Sequence, residues 1–187
     1  MNVFDFDNTI YRGDSTADFI LYNIKKQPFL SVYVLRFACA YCFYKLHLTS
    51  KAGAKQVLFR MFRRIPSMED RLRDFWVEHM CNIKSWYPGI HRDDDVVISA
   101  SPEFLVLPAC RALGISSVMG SPVDMHSGAY TGLNCSGSEK ILRFRERYPD
   151  VAIENFFSDS LSDSPMAGIS QQAYLVKGDN FFPWPSH

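Results

Sequence analysis

The sequence predicts an α/β protein, a doubly wound parallel sheet with an α-helical cap inserted after the first strand. After residue 88, short β-branched and aromatic runs alternate with helical segments, the pattern of parallel strands joined by crossover helices. Residues 15–87 instead show helical periodicity throughout. We therefore assign residues 1–14 and 88–187 to a Rossmann-like core and residues 15–87 to the cap.

The strands of the core are predicted from short apolar runs that turn signals bound on both sides. Five runs have this pattern, at 1–4, 95–99, 115–119, 153–158 and 173–176. Helices are expected at 102–113 and 138–148, because Gly114 and Pro149 follow them as helix-ending residues. Strand and helix thus alternate along the core.

Two other core segments carry weaker signals. Gly128 and Gly132 flank Tyr130, and this spacing predicts a hairpin over 125–133. The aromatic run 181–184 near the end of the chain is expected to pack on the sheet edge, although lining the cleft is also compatible with it.

The cap is predicted to contain four helical segments. The first segment begins at Ser15. Pro28 and Pro66 interrupt the helical pattern, and the Pro88–Gly89 pair ends it, because proline and glycine break or end helices. After Pro28, the segments run over 29–48, 51–64 and 68–86.

The apolar stretch 29–48 has three interpretations. Its twenty residues would suffice to cross a bilayer, but Arg36 near its centre would cost about 2.5 to 3.5 kcal/mol there. An ordinary buried cap helix is the second interpretation, and a segment lying on a membrane surface is the third. The basic helix 51–64 that follows favours the third, because cations bind anionic lipid head groups.

Charge is distributed unevenly along the chain. The 187 residues carry 20 Lys and Arg and 20 Asp and Glu, a balance that does not favour a nucleic-acid-binding protein. Residues 15–87, however, hold 12 basic and 5 acidic residues, and the remainder holds 8 basic and 15 acidic residues. This asymmetry predicts two regions with different tasks.

The cysteines indicate a reducing compartment. Their number, five, is odd, and the chain is too long for a disulfide-stapled mini-domain. Asp5 and Asp7 also interrupt the apolar pattern of a signal peptide. We therefore expect a cytoplasmic protein with reduced thiols, and membrane association through the cap remains compatible with that location.

Polar side chains follow several predicted strands. Asp5 and Asp7 come after the first strand, Ser99 ends the strand at 95–99, and Asp159 and Asp163 follow the strand at 153–158. Because ligands bind at the carboxyl ends of parallel strands, these side chains should converge. Clustered carboxylates repel one another unless a cation intervenes, and Mg²⁺ prefers oxygen ligands together with phosphate.

The residues around this cluster suit a phosphoryl group. Lys140 can supply a fixed positive charge, while Thr9, Ser99 and backbone amides can hold phosphate oxygens. One aspartate can attack phosphorus, and a second can protonate the leaving oxygen and then activate water.

Four segments, in order along the chain, resemble the motifs of the haloacid dehalogenase superfamily. Residues 4–9 resemble the first motif, D-x-D-x-T after a strand, and residues 97–101 resemble the second. Lys140 fits the third motif, and residues 159–163 resemble the fourth, D-x-x-x-D. The resemblance covers essentially the whole chain, and the insertion after the first motif resembles the small cap of the phosphoserine phosphatase-like branch.

This resemblance implies a magnesium-dependent phosphatase that forms an aspartyl-phosphate. It makes Asp5 the nucleophile and Asp7 the general acid and base. Both would bind Mg²⁺ together with Asp159, Asp7 through its main-chain carbonyl, and Asp163 would support the metal site. The implied phosphate-binding residues are Thr9, Ser99, Ala100 and Lys140. Asp14 occupies the place of an acidic residue near the substrate ammonium, although a helix cap explains it equally well.

The substrate stays open between a small phosphoserine-like metabolite and a lipid head-group phosphate. Segments 24–28 and 135–140 and the apolar stretch resemble, by composition, bacterial phosphatidylglycerophosphatases of the same branch. Such a substrate would agree with peripheral membrane contact through the basic, apolar cap. The alternative from another class is a membrane-surface or partner-binding protein whose core is catalytically dormant. The complete set of acidic residues with Lys140 argues against dormancy.

Overall fold

The computed structural model describes residues 1–185 and contains one six-stranded sheet. Its strands are β1 Asn2–Phe4, β2 Val96–Pro102, β3 Ser117–Ser121, β4 Ile153–Ser158, β5 Ser170–Lys177 and β6 Asn180–Pro183. Their order in the sheet is β3-β2-β1-β4-β5-β6, and every neighbouring pair is parallel except β5 with β6. The predicted doubly wound α/β fold is confirmed.

β1 lies in the middle of the sheet, between β2 and β4. Val3 is in register with Val96 on one side and Phe156 on the other. Side chains alternate between the two faces of a strand, so Val3 and Phe4 belong to different apolar clusters, one on each face. The carboxyl ends of β1, β2 and β4 are therefore adjacent, which brings the loops that follow them together.

Helices connect the strands and form the insertion between β1 and β2. The helices of the insertion are α1 Ser15–Lys26, α2 Ser31–Lys45, α3 Lys51–Phe59, α4 Met68–His79 and α5 Tyr87–Ile90. The remaining helices are α6 Glu103–Ala112, α7 Ser138–Arg147 and α8 Ser164–Ala167. Short 3-10 segments at 28–30, 60–64 and 80–82 join or extend the helices of the insertion.

The insertion is seated on the core by aromatic packing. Trp76 of α4 makes edge-to-face contacts with Phe6 and Tyr11, which follow β1. The ring centroid of Trp76 lies 6.0 Å from that of Phe6 and 5.6 Å from that of Tyr11. The indole nitrogen of Trp76 donates a hydrogen bond of 2.7 Å to the carbonyl of Leu105 in α6. These contacts hold the helical layer against the loop that carries Asp5 and Asp7.

Two segments of the core carried weaker sequence signals. The hairpin predicted at 125–133 is reduced to one antiparallel bridge, which joins Val123 to Tyr130. Gly128 allows this loop to approach α3 closely, because a Cβ on it would lie 1.9 Å from the carbonyl oxygen of Phe59. The aromatic run 181–184 contributes to a sixth strand, β6, which lies at the edge of the sheet, where the run was predicted to pack.

The apolar segment 29–48 is not the buried helix that one interpretation expected. α2 contains no buried residue, although Tyr33 and Phe37 pack partly against the core cluster. The spanning interpretation also fails for the described part of the chain, since none of its helices combines the length and apolarity that a bilayer crossing requires. Contact of this segment with a membrane surface stays a prediction.

All five cysteines are free thiols. Cys39 and Cys42 lie exposed on α2, Cys81 is also exposed, and Cys110 and Cys135 are buried. The C-x-x-C spacing on α2 therefore pairs no disulfide.

Candidate active site

A cavity of about 430 Å³ lies between the carboxyl ends of the strands and the helical insertion. Eight predicted site residues line it: Asp5, Asp7, Asp14, Ser99, Ala100, Lys140, Asp159 and Asp163. The insertion contributes an opposite wall that includes Ile20, Phe37, Lys51 and Lys55. The cavity thus has an acidic floor and a partly basic, partly apolar roof.

The loop after β1 places Asp5 and Asp7 at the cavity. The amide of Asp5 donates to the carbonyl of Phe157 at 2.8 Å, so the β1–β4 ladder continues to Asp5. The chain then turns sharply at Asn8, whose φ of 55° is a conformation that asparagine tolerates. The amide of Asn8 donates to the carbonyl of Gly13 at 2.8 Å and closes the turn.

Lys140 connects two of the acidic residues. Its Nζ donates to Oδ1 of Asp5 at 2.9 Å and to Oδ2 of Asp163 at 2.6 Å, and its side chain is 2% exposed. Burial alone would lower the pKa of Lys140, but Asp5 and Asp163 outweigh burial and raise it. The lysine therefore remains a fixed cation at the cavity floor.

Asp5 still lacks full charge compensation. Burial raises its pKa strongly, the lysine charge lowers it only in part, and Asp163 and Asp7 raise it further. Ionised Asp5 would therefore gain from an additional positive charge nearby.

Asp7 is held by donors from two other elements. Its carboxylate accepts a short hydrogen bond from the hydroxyl of Ser101 and one of 2.7 Å from the amide of Ser15 at the start of α1. Burial, followed by the charge of Asp14, raises the pKa of Asp7 to about 6 despite these donors. A carboxyl group with this pKa can both give and take a proton near neutral pH.

The end of β2 supplies hydroxyl groups. Ser99 is buried, and its Oγ accepts from the amide of Ser101 at 3.1 Å. The Ser101 hydroxyl lies 2.8 Å from that of Thr16 in α1, so it links β2, Asp7 and the insertion. The motif resemblance assigned Ser101 no role, and its contact with Asp7 required the folded chain.

Thr9 differs from its predicted role as a phosphate ligand. It is fully buried and does not line the cavity. Its Oγ1 accepts from the amide of Asp159 at 3.0 Å, which joins the loop after β1 to the loop after β4. Thr9 therefore positions Asp159 from behind the cavity wall.

Asp14 is a helix cap, one of the two roles that the sequence left open, while its role near a substrate ammonium stays a prediction. Its carboxylate accepts from the amide of Ala17 at 2.9 Å and so caps α1, and the same residue lines the cavity.

The donors fit a magnesium ion by their chemistry. Within residues 1–185, no three His, Cys, Asp or Glu side chains are grouped closely enough to hold a metal by themselves. The expected set does not require three, because it combines the carboxylates of Asp5 and Asp159 with the main-chain carbonyl of Asp7. All these donors are oxygens, and water and phosphate would complete an octahedral shell. Burial and the neighbouring Asp163 raise the pKa of Asp159, so it too would be stabilised as an anion by a cation.

Two lysines were missed as site residues because their importance depends on tertiary contacts. Lys55 of α3 lies in the cavity roof, and burial lowers its pKa. Lys84 is buried and donates to the main-chain carbonyls of Asn8 and Gly178, the second at 2.6 Å. Lys84 thereby anchors the turn that carries the two aspartates.

Comparison with known proteins gives the family. The sequence profile of the haloacid dehalogenase-like hydrolases matches residues 3–168. The chain belongs to this family. A histidinol-phosphatase of Neisseria meningitidis serogroup C is 25% identical over 205 residues, which cover 95% of this chain and 90% of that protein. Together with the family, this relative supports a phosphatase.

Solved structures share the fold. A protein of unknown function from Bordetella pertussis Tohama I has a TM-score of 0.74 at 17% identity, covering 92% of this chain and 87% of that one. A phosphoserine phosphohydrolase-like protein from Francisella tularensis subsp. tularensis SCHU S4 has a TM-score of 0.62 at 14% identity, covering 92% and 86%. The fold of this chain, over 92% of its length, therefore recurs in other solved proteins.

Proposed function

We propose that the protein is a magnesium-dependent phosphatase that hydrolyses a phosphate monoester through an aspartyl-phosphate on Asp5. The observation that carries the proposal is the convergence of Asp5, Asp7, Lys140 and Asp159 on one cavity. Residues 15–87 act as the cap that closes over the substrate, and the free cysteines agree with a cytoplasmic location.

Asp5 is proposed as the nucleophile. A carboxylate oxygen of Asp5 attacks phosphorus, and the bond between phosphorus and the ester oxygen breaks as the acyl phosphate forms. Lys140, 2.9 Å from Asp5, keeps the carboxylate oriented and offsets the charge of the transferring group. Ser99 and the main chain at Ala100 line the cavity where phosphate oxygens would be held.

Asp7 is proposed as the general acid and base. It gives its proton to the leaving ester oxygen in the first step. In the second step it takes a proton from water, whose oxygen attacks phosphorus and releases Asp5 and inorganic phosphate. Its pKa of about 6 and the hydrogen bond from Ser101 support this role.

Magnesium, when bound, would supply positive charge to the phosphate oxygens and to Asp5. Asp5, Asp159 and the carbonyl of Asp7 would hold it, and Asp163 would support the site through Lys140 and the Ser158 hydroxyl, 2.8 Å away.

The substrate is proposed to be either a small phosphorylated metabolite or a lipid head-group phosphate. Asp14 offers an acidic group to a substrate ammonium, as a phosphoserine-like ester would need. Lys51 and Lys55 offer cations to a further anionic group, and Phe37 offers apolar surface. Peripheral contact of the cap with a membrane is a separate proposal, because it concerns the outer face of the cap and not the cavity.

The test is release of p-nitrophenol from p-nitrophenyl phosphate by the wild-type protein, Asp5→Asn and the control Asp150→Asn. Asp150 is exposed and lies outside the cavity. We expect release to require magnesium, to fall at least about a thousandfold in Asp5→Asn, and to be unchanged in Asp150→Asn.

Full activity of Asp5→Asn would remove Asp5 as the nucleophile. Absence of turnover in the wild-type protein with p-nitrophenyl phosphate and with phosphoserine, despite magnesium, would favour the dormant-core alternative.

A further inference from the structure

We propose that residues 29 and 30, α2 and the loop 46–50 after it form a docking surface for an anionic lipid bilayer. This inference goes beyond the proposed phosphatase chemistry and does not require it. The docking surface is defined as residues 29–50, the segment that begins at the 3-10 turn before α2 and ends at the start of α3.

The first observation is that α2 exposes large apolar side chains on the faces that do not pack against the core. Leu35 is 68% exposed and Phe43 is 54% exposed, and other large apolar residues of the docking surface are exposed as well: Phe29, Val32, Val34, Tyr41, Leu46 and Leu48. A helix that is apolar on all sides is ordinarily buried in protein or lipid. Tyr33 and Phe37 of α2 are half-buried and pack partly against the core cluster, but the apolar side chains named above are exposed, and within the described chain nothing buries them.

The second observation is the charge around the docking surface. Residues 19–68 contain no Asp or Glu and nine basic residues: Lys25, Lys26, Arg36, Lys45, Lys51, Lys55, Arg60, Arg63 and Arg64. Within residues 1–185, none of these nine forms an ion pair. Two of them, Lys51 and Lys55, line the cavity, whereas Arg36 and Lys45 lie on the docking surface itself. Unpaired cations beside exposed apolar side chains match the two layers of an anionic bilayer, its head groups and its acyl chains.

The length of α2 determines how it would sit. Its 15 residues extend about 22 Å at 1.5 Å per residue, less than the roughly 30 Å of a hydrocarbon core. Arg36 and Lys45 lie over the rings of Tyr33 and Tyr41, each 5.5 Å from the ring centroid. Tyrosine and basic side chains together favour the head-group level, so α2 would lie in the interface.

A second copy of the chain is a poorer occupant than a membrane. A two-fold interface would place the same patch on both partners, and each patch carries Arg36 and Lys45. Like charges facing each other would oppose that contact, whereas anionic lipid would be attracted by them.

Docking by α2 would also orient the cavity. Phe37 belongs to α2 and lines the cavity wall, so the docking surface and the cavity share one helix. With the outer face of α2 in the bilayer, the cavity would stand beside the lipid head groups. A phosphate carried by a lipid would then reach Asp5 without leaving the membrane plane.

Vesicle flotation of the full chain tests the proposal. The vesicles contain phosphatidylglycerol mixed with phosphatidylcholine, or phosphatidylcholine alone. We expect flotation with the mixed vesicles, reduced flotation at high salt, and little with phosphatidylcholine alone.

Paired variants identify the surface. Leu35→Gln with Phe43→Gln removes apolar contact, and the control pair is Val77→Gln with Leu142→Gln, two side chains that are 78% and 65% exposed on other helices. We expect at least about a tenfold loss of partitioning in the first pair and none in the control pair.

A second set tests charge. The pair Arg36→Glu with Lys45→Glu should also weaken partitioning at least about tenfold. The control pair is Arg111→Glu with Lys177→Glu, which changes the net charge equally at exposed positions elsewhere. Circular dichroism and turnover of p-nitrophenyl phosphate show whether each variant is folded and whether the phosphatase proposal holds independently.

Three results would overturn the docking proposal. The first is absence of binding to both kinds of vesicle. The second is equal binding by the α2 pairs and their controls. The third is a wild-type dimer in light scattering that the Leu35→Gln and Phe43→Gln pair converts to a monomer, which would assign the surface to a second copy.

Discussion

Lys140 balances two buried carboxylates, and its removal should leave both without a cation. Replacing Lys140 by Met keeps the length of the side chain but removes the contacts with Asp5 and Asp163. Breaking a buried ion pair on one side typically destabilises a protein by about 3 to 5 kcal/mol. We expect the free energy of unfolding in urea, measured without magnesium, to fall by about 3 kcal/mol. Lys177→Met, at an exposed position, should leave it within about 0.5 kcal/mol.

The raised pKa values of Asp5 and Asp7 predict how magnesium and pH act together. In the folded, metal-free protein both carboxyls bind protons more tightly than in the unfolded chain, where the pKa of an aspartate is near 3.8. Their contribution to stability is therefore complete below about pH 4 and is lost as pH rises through the folded values, about 6 for Asp7. Magnesium should offset this loss.

We expect the increase in the thermal unfolding midpoint on adding magnesium to be larger at pH 8 than at pH 5. Scanning fluorimetry with magnesium or a chelator measures it. Asp5→Asn should reduce the difference between the two pH values, while Asp150→Asn should not. An increase that is independent of pH in the wild-type protein would contradict the assigned protonation of these residues.

At the scale of elements, the loop 123–134 is docked on α3 by a glycine. Gly128 has a φ of 70°, and a Cβ there would lie 1.9 Å from the carbonyl oxygen of Phe59. Gly128→Ala should separate loop and helix and destabilise the protein by roughly 1 to 3 kcal/mol in urea unfolding. The matched control is Gly89→Ala in α5, where no atom lies within 4 Å of the added Cβ. Equal stability of the two variants would mean that the loop does not need this contact.

The elements also show which signals a sequence carries. β4 agrees with the predicted range 153–158, because an apolar run is bounded there by turn residues and buried on both faces. β6 was not predicted as a strand, since four exposed residues that pair only with β5 have no periodicity of their own. The predicted hairpin at 125–133 is reduced to one antiparallel bridge between Val123 and Tyr130. Gly128 reflects contact with α3, which is a tertiary property.

In the site, too, some residues could be predicted from local sequence, and others depended on tertiary contacts. Asp5, Asp7 and Asp159 were predictable, because polar residues directly after buried strands must meet at one edge of a parallel sheet. Thr9 was assigned to phosphate, but its hydroxyl accepts from Asp159, a partner 150 positions away. Lys55 looked like one charge of a basic helix until the fold placed it in the cavity.

At the scale of the whole molecule, the insertion and the core have opposite net charges. Residues 15–87 carry an excess of seven positive charges and face the cavity, where an anionic phosphate ester would bind. We expect KM for p-nitrophenyl phosphate to rise with ionic strength, while kcat changes little, because salt screens the exposed cations. Lys25→Gln with Lys26→Gln should show a weaker salt dependence. Lys177→Gln should behave like the wild-type protein, and a salt-independent KM would refute electrostatic attraction by the cap.

The central position of β1 has a consequence for biosynthesis. Asp5 leaves the ribosome 135 positions before its hydrogen-bonded partner Lys140. β1 also pairs with β2 and β4, so its register is complete only after residue 158 has been made. A nascent chain that ends before α7 therefore contains Asp5 but not the cation beside it. Every interrupted translation product of this kind should be catalytically silent.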